Sequence, residues 1–136
     1  MKRYLFDTSA FLTLRDEEEG ADTVADLLYK AKQNEIQCFA CFMSLMELLY
    51  RVWKDEDKQR GQLAYEQVQS LPIIWIHEDK ELLEKAAEIK ATQQLSLADA
   101  WIAASAIQQK AILVHKDPEF STLKCAQLVL PYKSLG

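Results

Sequence analysis

Glycine and proline are scarce in this chain of 136 residues, with three of each. Such a composition predicts short loops and no long disordered tail. Cysteine is scarce as well. Cys38, Cys41 and Cys125 are an odd number, which argues against a closed disulfide framework and suits a reducing compartment. No apolar stretch approaches the roughly 20 residues of a membrane-spanning helix. The opening, Met1 to Asp7, is too short and too soon charged for a signal peptide, so a cytoplasmic protein is expected. An excess of basic residues is also missing. The net charge of -5 counts against a phosphate-binding surface built on lysine and arginine alone. Carboxylates gathered around divalent cations would change that reading, because an occupied site is less negative than its bare ligands.

What is present is ordinary for a globular protein, with 49% apolar and 27% charged residues. The length fits one domain spanning 1–136, large enough to bury roughly two-thirds of its unfolded surface. Five short apolar segments read as strands: Arg3 to Phe6, Ile36 to Ala40, Ile73 to Ile76, Ala111 to Val114 and Gln127 to Leu130. Between them the apolar residues recur at helical spacing. Those helices are expected over Gly20 to Asn34, Ser44 to Lys54, Gln59 to Ser70, Asp79 to Gln93 and Ser96 to Gln109, with a short one after Asp7. The charged stretch Lys54 to Arg60 reads as a solvated turn. Strands alternating with helices predict an α/β fold, a parallel sheet covered on both faces. Cys38-Phe39-Ala40-Cys41 has CxxC spacing but lies in an apolar run with no second pair, so both residues read as buried strand cysteines.

Among 21 acidic residues, position singles out four. Ligands of an open parallel sheet bind beyond the carboxyl ends of its strands. Asp7 follows the first strand and Asp117 the fourth. Glu47 and Asp99 fall in the first turns of helices after the second strand and before the fourth. Each also has a plainer reading. Asp7 can cap the next helix, Ser44-x-x-Glu47 and Ser96-x-x-Asp99 fit capping boxes, and Asp117-Pro118 fits a cap followed by proline. Glu47 can also pair with Arg51 on a helix surface. Asp99, however, shares its stripe with Ile102, Ala103 and Ala106, and a buried carboxylate needs a partner or a metal. The four acids converge if strands one, two and four are neighbours. Two like charges at ~4 Å repel by roughly 1 to 4 kcal/mol, a penalty that a divalent cation removes. All-oxygen ligands suit magnesium or manganese.

Four segments, in this order, resemble the motifs of the PIN-domain family. They are Tyr4-Leu5-Phe6-Asp7-Thr8-Ser9-Ala10, Ser44-x-x-Glu47, Leu97-Ala98-Asp99-Ala100-Trp101-Ile102 and Leu113-Val114-His115-Lys116-Asp117-Pro118-Glu119-Phe120. The third is the most specific, and the set spans nearly the whole chain. The resemblance implies a three-layer α/β/α sandwich and endonucleolytic cleavage of RNA with Mg2+ or Mn2+. The small size further resembles VapC-type toxins, which pair with a small antitoxin and commonly form a homodimer. Asp7 and Asp99 would be direct metal ligands, and Glu47 and Asp117 direct or water-mediated ones. Thr8 or Ser9 would support Asp7 or a phosphate. Arg15, Arg51, Lys54 and Lys116 are candidates for the RNA backbone. One residue departs from the pattern. His115 stands where the family often has Thr or Ser, so a hydrogen bond supporting Asp117 is lost or replaced. The rival expectation is a catalytically inactive PIN-like module that binds RNA or protein. A receiver domain would want an acidic pair near the first strand, and a haloacid-dehalogenase-like phosphatase a second Asp after Asp7-Thr8; neither is present.

Overall fold

The computed structural model describes residues 1–131. Its strands are β1 (Arg3–Phe6), β2 (Gln37–Cys41), β3 (Ile74–Ile76), β4 (Ile112–His115) and β5 (Gln127–Val129). Its helices are α1 (Thr8–Arg15), α2 (Ala21–Lys32), α3 (Met43–Asp55), α4 (Lys58–Val68), α5 (Lys80–Thr92) and α6 (Leu97–Gln109), with a short 3-10 helix over Pro118–Thr122. All expected elements form. Their ends shift by one or two residues from the sequence reading.

The strands make one parallel sheet in the order β3-β2-β1-β4-β5. Side chains alternate across it, as the pleat requires. Leu5, Phe39, Cys41 and Leu113 face α5 and α6, while Tyr4, Phe6, Cys38, Ala40 and Val114 face α1 to α4. The result is the expected three-layer α/β/α sandwich. α6 is buried nearly all round because its core side is small: Ala100, Ala103, Ala104 and Ala106 let it sit close to the sheet.

Cys38 and Cys41 therefore point to opposite faces, which excludes a shared metal or a disulfide between them. Burial pushes the Cys38 thiol up to about 12, so it stays protonated. The expected turn at Lys54 to Arg60 is shorter than read. α3 runs on to Asp55, and only Glu56 and Asp57 separate it from α4, which the Asp57 side chain caps by accepting from the Arg60 amide. α3 and α4 pack closely enough that a Cβ added at Gly61 would meet the Leu49 carbonyl oxygen at 2.8 Å. At Gly20 a φ of 101° requires glycine. Among the described residues no helix is long and apolar enough to cross a membrane.

Candidate active site

The central strand β1 is flanked by β2 and β4, so the neighbourhood the four acids need is met. Asp7 leaves the carboxyl end of β1, its amide continuing the ladder by donating to the Val114 carbonyl at 3.0 Å. α6 leads into β4, which puts its first turn, with Asp99, over the same edge. Glu47 arrives on the second turn of α3 and Asp117 two residues beyond β4. Together they line a cleft of about 430 Å³ with Thr8, Ser9, Ser96, Glu18, Glu119, Arg51 and Lys116. Six of its lining residues are acids and two are bases.

Asp7 is 4% exposed and Asp99 8%. Three of the plainer readings hold as well. Asp7 caps α1, its Oδ2 accepting from the Ser9 amide at 3.2 Å and the Ser9 hydroxyl at 2.5 Å. Ser96 Oγ accepts from the Asp99 amide at 3.1 Å. Asp117 Oδ1 accepts from the Glu119 amide at 2.9 Å. The fourth fails. α3 begins at Met43 with no side-chain cap, so Ser44 lies inside it and is buried. Its hydroxyl meets Thr8 Oγ1 at 2.9 Å, and Thr8 Oγ1 donates to Glu47 Oε1 at 2.7 Å. The Thr8 proton going to Glu47 leaves Ser44 as donor to Thr8. A tertiary hydroxyl pair has replaced the local capping box. No Glu47–Arg51 ion pair forms among the described residues, although the nearby guanidinium favours the charged Glu47.

Electrostatics binds the four into one system. Burial first pushes the Asp7 carboxyl above its ordinary range, opposed by hydrogen bonds from Ser9 and the Thr8 amide and reinforced by Asp117. Burial also raises Glu47, against the Thr8 bond, with Asp7 and Asp117 adding repulsion. Asp99 is raised to about 8 by burial, then by Asp7, by a hydrogen bond with Glu119, and by Asp117 and Glu47. Asp99 thus feels all three of the others, Glu47 feels Asp7 and Asp117, and Asp7 feels Asp117. Carboxyl oxygens of Asp99, Asp117 and Glu119 lie within 4.8 Å of one another.

Glu119 is the acid the sequence reading left out. Its spacing, two residues after Asp117 across a proline, was the available signal, but only the turn of the 3-10 helix brings it to Asp99. Lys116 faces the cleft with a buried Nζ that makes no hydrogen bond and stands 3.8 Å from Glu18 Oε1. Arg15 lies elsewhere. It pairs with Glu56 at 2.6 Å and Asp16 at 2.9 Å and lines an apolar pocket between α1, α3 and α4. Lys54 is exposed in the last turn of α3 and does not line the cleft.

His115 keeps the plainer reading, a buried strand-end histidine with a hydrogen-bonded ring. The support expected from Thr or Ser is replaced, since the Asp117 amide donates to His115 Nδ1 at 3.0 Å.

An oxygen-only donor set, half of it buried and mutually repelling, fits a hard divalent cation. Comparison with curated proteins returns no sequence match. Solved structures share the fold. VapBC2 from Rickettsia felis, bound to a DNA fragment from its promoter, superposes with a TM-score of 0.75 at 19% identity, covering 95% of this chain and 99% of that one. DNA-bound VapBC from Salmonella typhimurium gives 0.73 at 19%, covering 93% and 96%. VapC20 of Mycobacterium tuberculosis, a Sarcin-Ricin loop cleaving toxin, gives 0.73 at 16%, covering 94% and 99%. The profile of the PIN domain matches residues 4–124, and with that span the chain belongs to the PIN domain family.

Proposed function

We propose that this chain is a magnesium- or manganese-dependent endoribonuclease that hydrolyses RNA phosphodiester bonds and serves as the toxin of a toxin–antitoxin pair. One observation carries the reading. Asp7, Glu47, Asp99 and Asp117 come from four separate elements into one cleft, and two of them are almost wholly buried. Such crowding is costly in an apoprotein and useful in a metal site.

Asp7 and Asp99 are direct ligands in this reading, and Glu47 and Asp117 bind directly or through water, with Glu119 beside Asp99 and Asp117. A divalent cation held there supplies a water of lowered pKa and relief of charge at the phosphate. The chain's own groups do the rest. Ser9 fixes the Asp7 rotamer, and Thr8 fixes Glu47. Lys116 and Arg51, on the cleft wall, meet the RNA backbone.

The partners proposed are those that the family and its structural relatives support. A Sarcin-Ricin loop cleaving toxin, DNA-bound VapBC and a toxin-antitoxin complex from Klebsiella pneumoniae stand among the similar folds, which supports an RNA substrate and a small antitoxin. The exposed Met46, Tyr50 and Trp53 of α3 and Leu63 of α4 offer a face for a second copy, giving a homodimer in the cytoplasm. The whole chain acts as one domain.

The rival reading, a catalytically inactive PIN-like module that binds RNA or protein, rests on the net charge and on His115. Its second support is weakened, because the ring supplies the acceptor that a hydroxyl would have supplied. The test is RNA cleavage with manganese by Asp7→Asn and Asp99→Asn. Both should lose at least about a hundredfold in rate while keeping the native circular dichroism spectrum. Full activity in either overturns the assignment, and a wild-type protein that neither binds manganese nor cleaves RNA favours the rival.

A further inference from the structure

His115 is 1% exposed at the end of β4, and both ring nitrogens are engaged. Nδ1 accepts from the Asp117 amide at 3.0 Å, so it carries no proton. Nε2 therefore holds the ring proton and donates it to Gln127 Oε1 at 2.8 Å. The Gln127 amide is fixed in turn. Its Nε2 donates to the Phe120 carbonyl at 2.8 Å and the Leu123 carbonyl at 3.1 Å, which leaves Oε1 to face the ring. The Phe120 ring packs edge-on against the imidazole at 5.0 Å between centroids. The chain of bonds thus runs from β5 through the imidazole to the backbone of Asp117, and back through the 3-10 helix that carries Glu119.

We propose that His115 and Gln127 are positioning residues that hold the acidic loop, Asp117 and Glu119 together, at its place in the cleft. This rests on the metal-binding reading above. Neither residue touches the cleft. Their effect on a cation passes through Asp117, whose backbone nitrogen they hold and whose Oδ1 is already tied to the Glu119 amide. The bond from residue 117 to the side chain two positions earlier is one that asparagine also makes, in an Asx turn. Leucine fills the space without an acceptor.

The test is manganese affinity of the full chain without RNA, read by electron paramagnetic resonance, beside thermal melts. Loss of an outer partner should weaken binding about tenfold or more in His115→Leu, less in Gln127→Leu, and within about threefold in His115→Asn. In an Asp117→Asn background, the effect of His115→Leu should shrink to the part that passes through Glu119. The proposal is overturned by a folded His115→Leu with wild-type affinity, by His115→Asn as weak as His115→Leu, or by an undiminished effect without Asp117. Should His115→Leu fail to fold, Gln127→Leu decides: wild-type affinity overturns the clamp, and weakened affinity supports it. A wild-type protein that binds no manganese removes the metal site itself, whereas wild-type binding with indifferent variants removes only the clamp.

Discussion

Replacing Asp99 by Asn should stabilise the metal-free protein while abolishing the proposed RNA cleavage. The Asp99 carboxyl is raised from 3.8 to about 8, by burial first and then by neighbouring acids. The folded state therefore binds a proton more tightly than the unfolded one. Between pH 4 and pH 8 the native state holds more protons, so stability falls as pH rises and levels off above about 8. At about 1.4 kcal/mol per tenfold in proton affinity, the ceiling on that loss is about 6 kcal/mol. Asp7 and Glu47 are raised as well, so the proton gain is shared, and about 3 kcal/mol is assigned to this one substitution. With an unfolding entropy of roughly 0.3 kcal/mol/K for a chain this size, Tm should rise by about 10 °C. Asn keeps a donor for Glu119 and is never charged. The assay is thermal unfolding in EDTA from pH 5 to 9. The wild type should weaken toward pH 8, and Asp99→Asn should weaken much less. Added manganese should raise the wild-type Tm and leave the variant nearly unmoved. An Asp99→Asn protein no more stable than wild type at pH 8 would refute the claim that a charged Asp99, buried among these acids, is costly in the absence of a cation.

Three further outcomes are expected. Lys116→Met should raise KM for RNA about tenfold and lower the salt slope of binding by about one, with manganese affinity kept; an unchanged slope excludes a phosphate contact. Thr8→Val removes the hydroxyl shared by Ser44 and Glu47, so urea unfolding should show a loss of about 1 to 3 kcal/mol, and a loss below about 0.5 would show that those bonds contribute little. Gly61→Ala usually strengthens a helix, yet here the new methyl meets the Leu49 carbonyl at 2.8 Å. Sterics should outweigh propensity and destabilise the protein by about 1 to 3 kcal/mol, and a rise in Tm would show that α3 and α4 separate freely.

The parallel sheet and its helices were legible because each rests on a local pattern, a short apolar run or a helical stripe. Asp7 and Asp99 were legible for the same reason, one ending a strand and the other interrupting an apolar stripe. What escaped depends on contacts between distant segments. Ser44 reads as a cap, but Phe42, at φ -51° and ψ -30°, already carries the chain into the helix, and the hydroxyl of Thr8, 36 positions away, claims that of Ser44. Arg15 reads as a free cation until α3 runs long enough to present Glu56. Glu119 needs the turn of a 3-10 helix, and the tie between Gln127 and His115 needs β5 laid beside β4. No periodicity encodes these.

The capping and metal-binding readings of the acids are not competitors. A carboxylate has two oxygens. Ser9 holds Asp7 by Oδ2, Thr8 holds Glu47 by Oε1, and the Glu119 amide holds Asp117 by Oδ1. Fixing one oxygen to the scaffold sets the rotamer and so aims the other, at a conformational cost met during folding rather than on binding. A cap position suits this because helix N-termini supply amide donors at the edge where the strands end. At Asp7 and Asp117 the short polar side chain that starts a helix is then the same group that lines the cleft. That is why a residue-by-residue reading finds caps and the assembled edge of the sheet presents a cluster of acids.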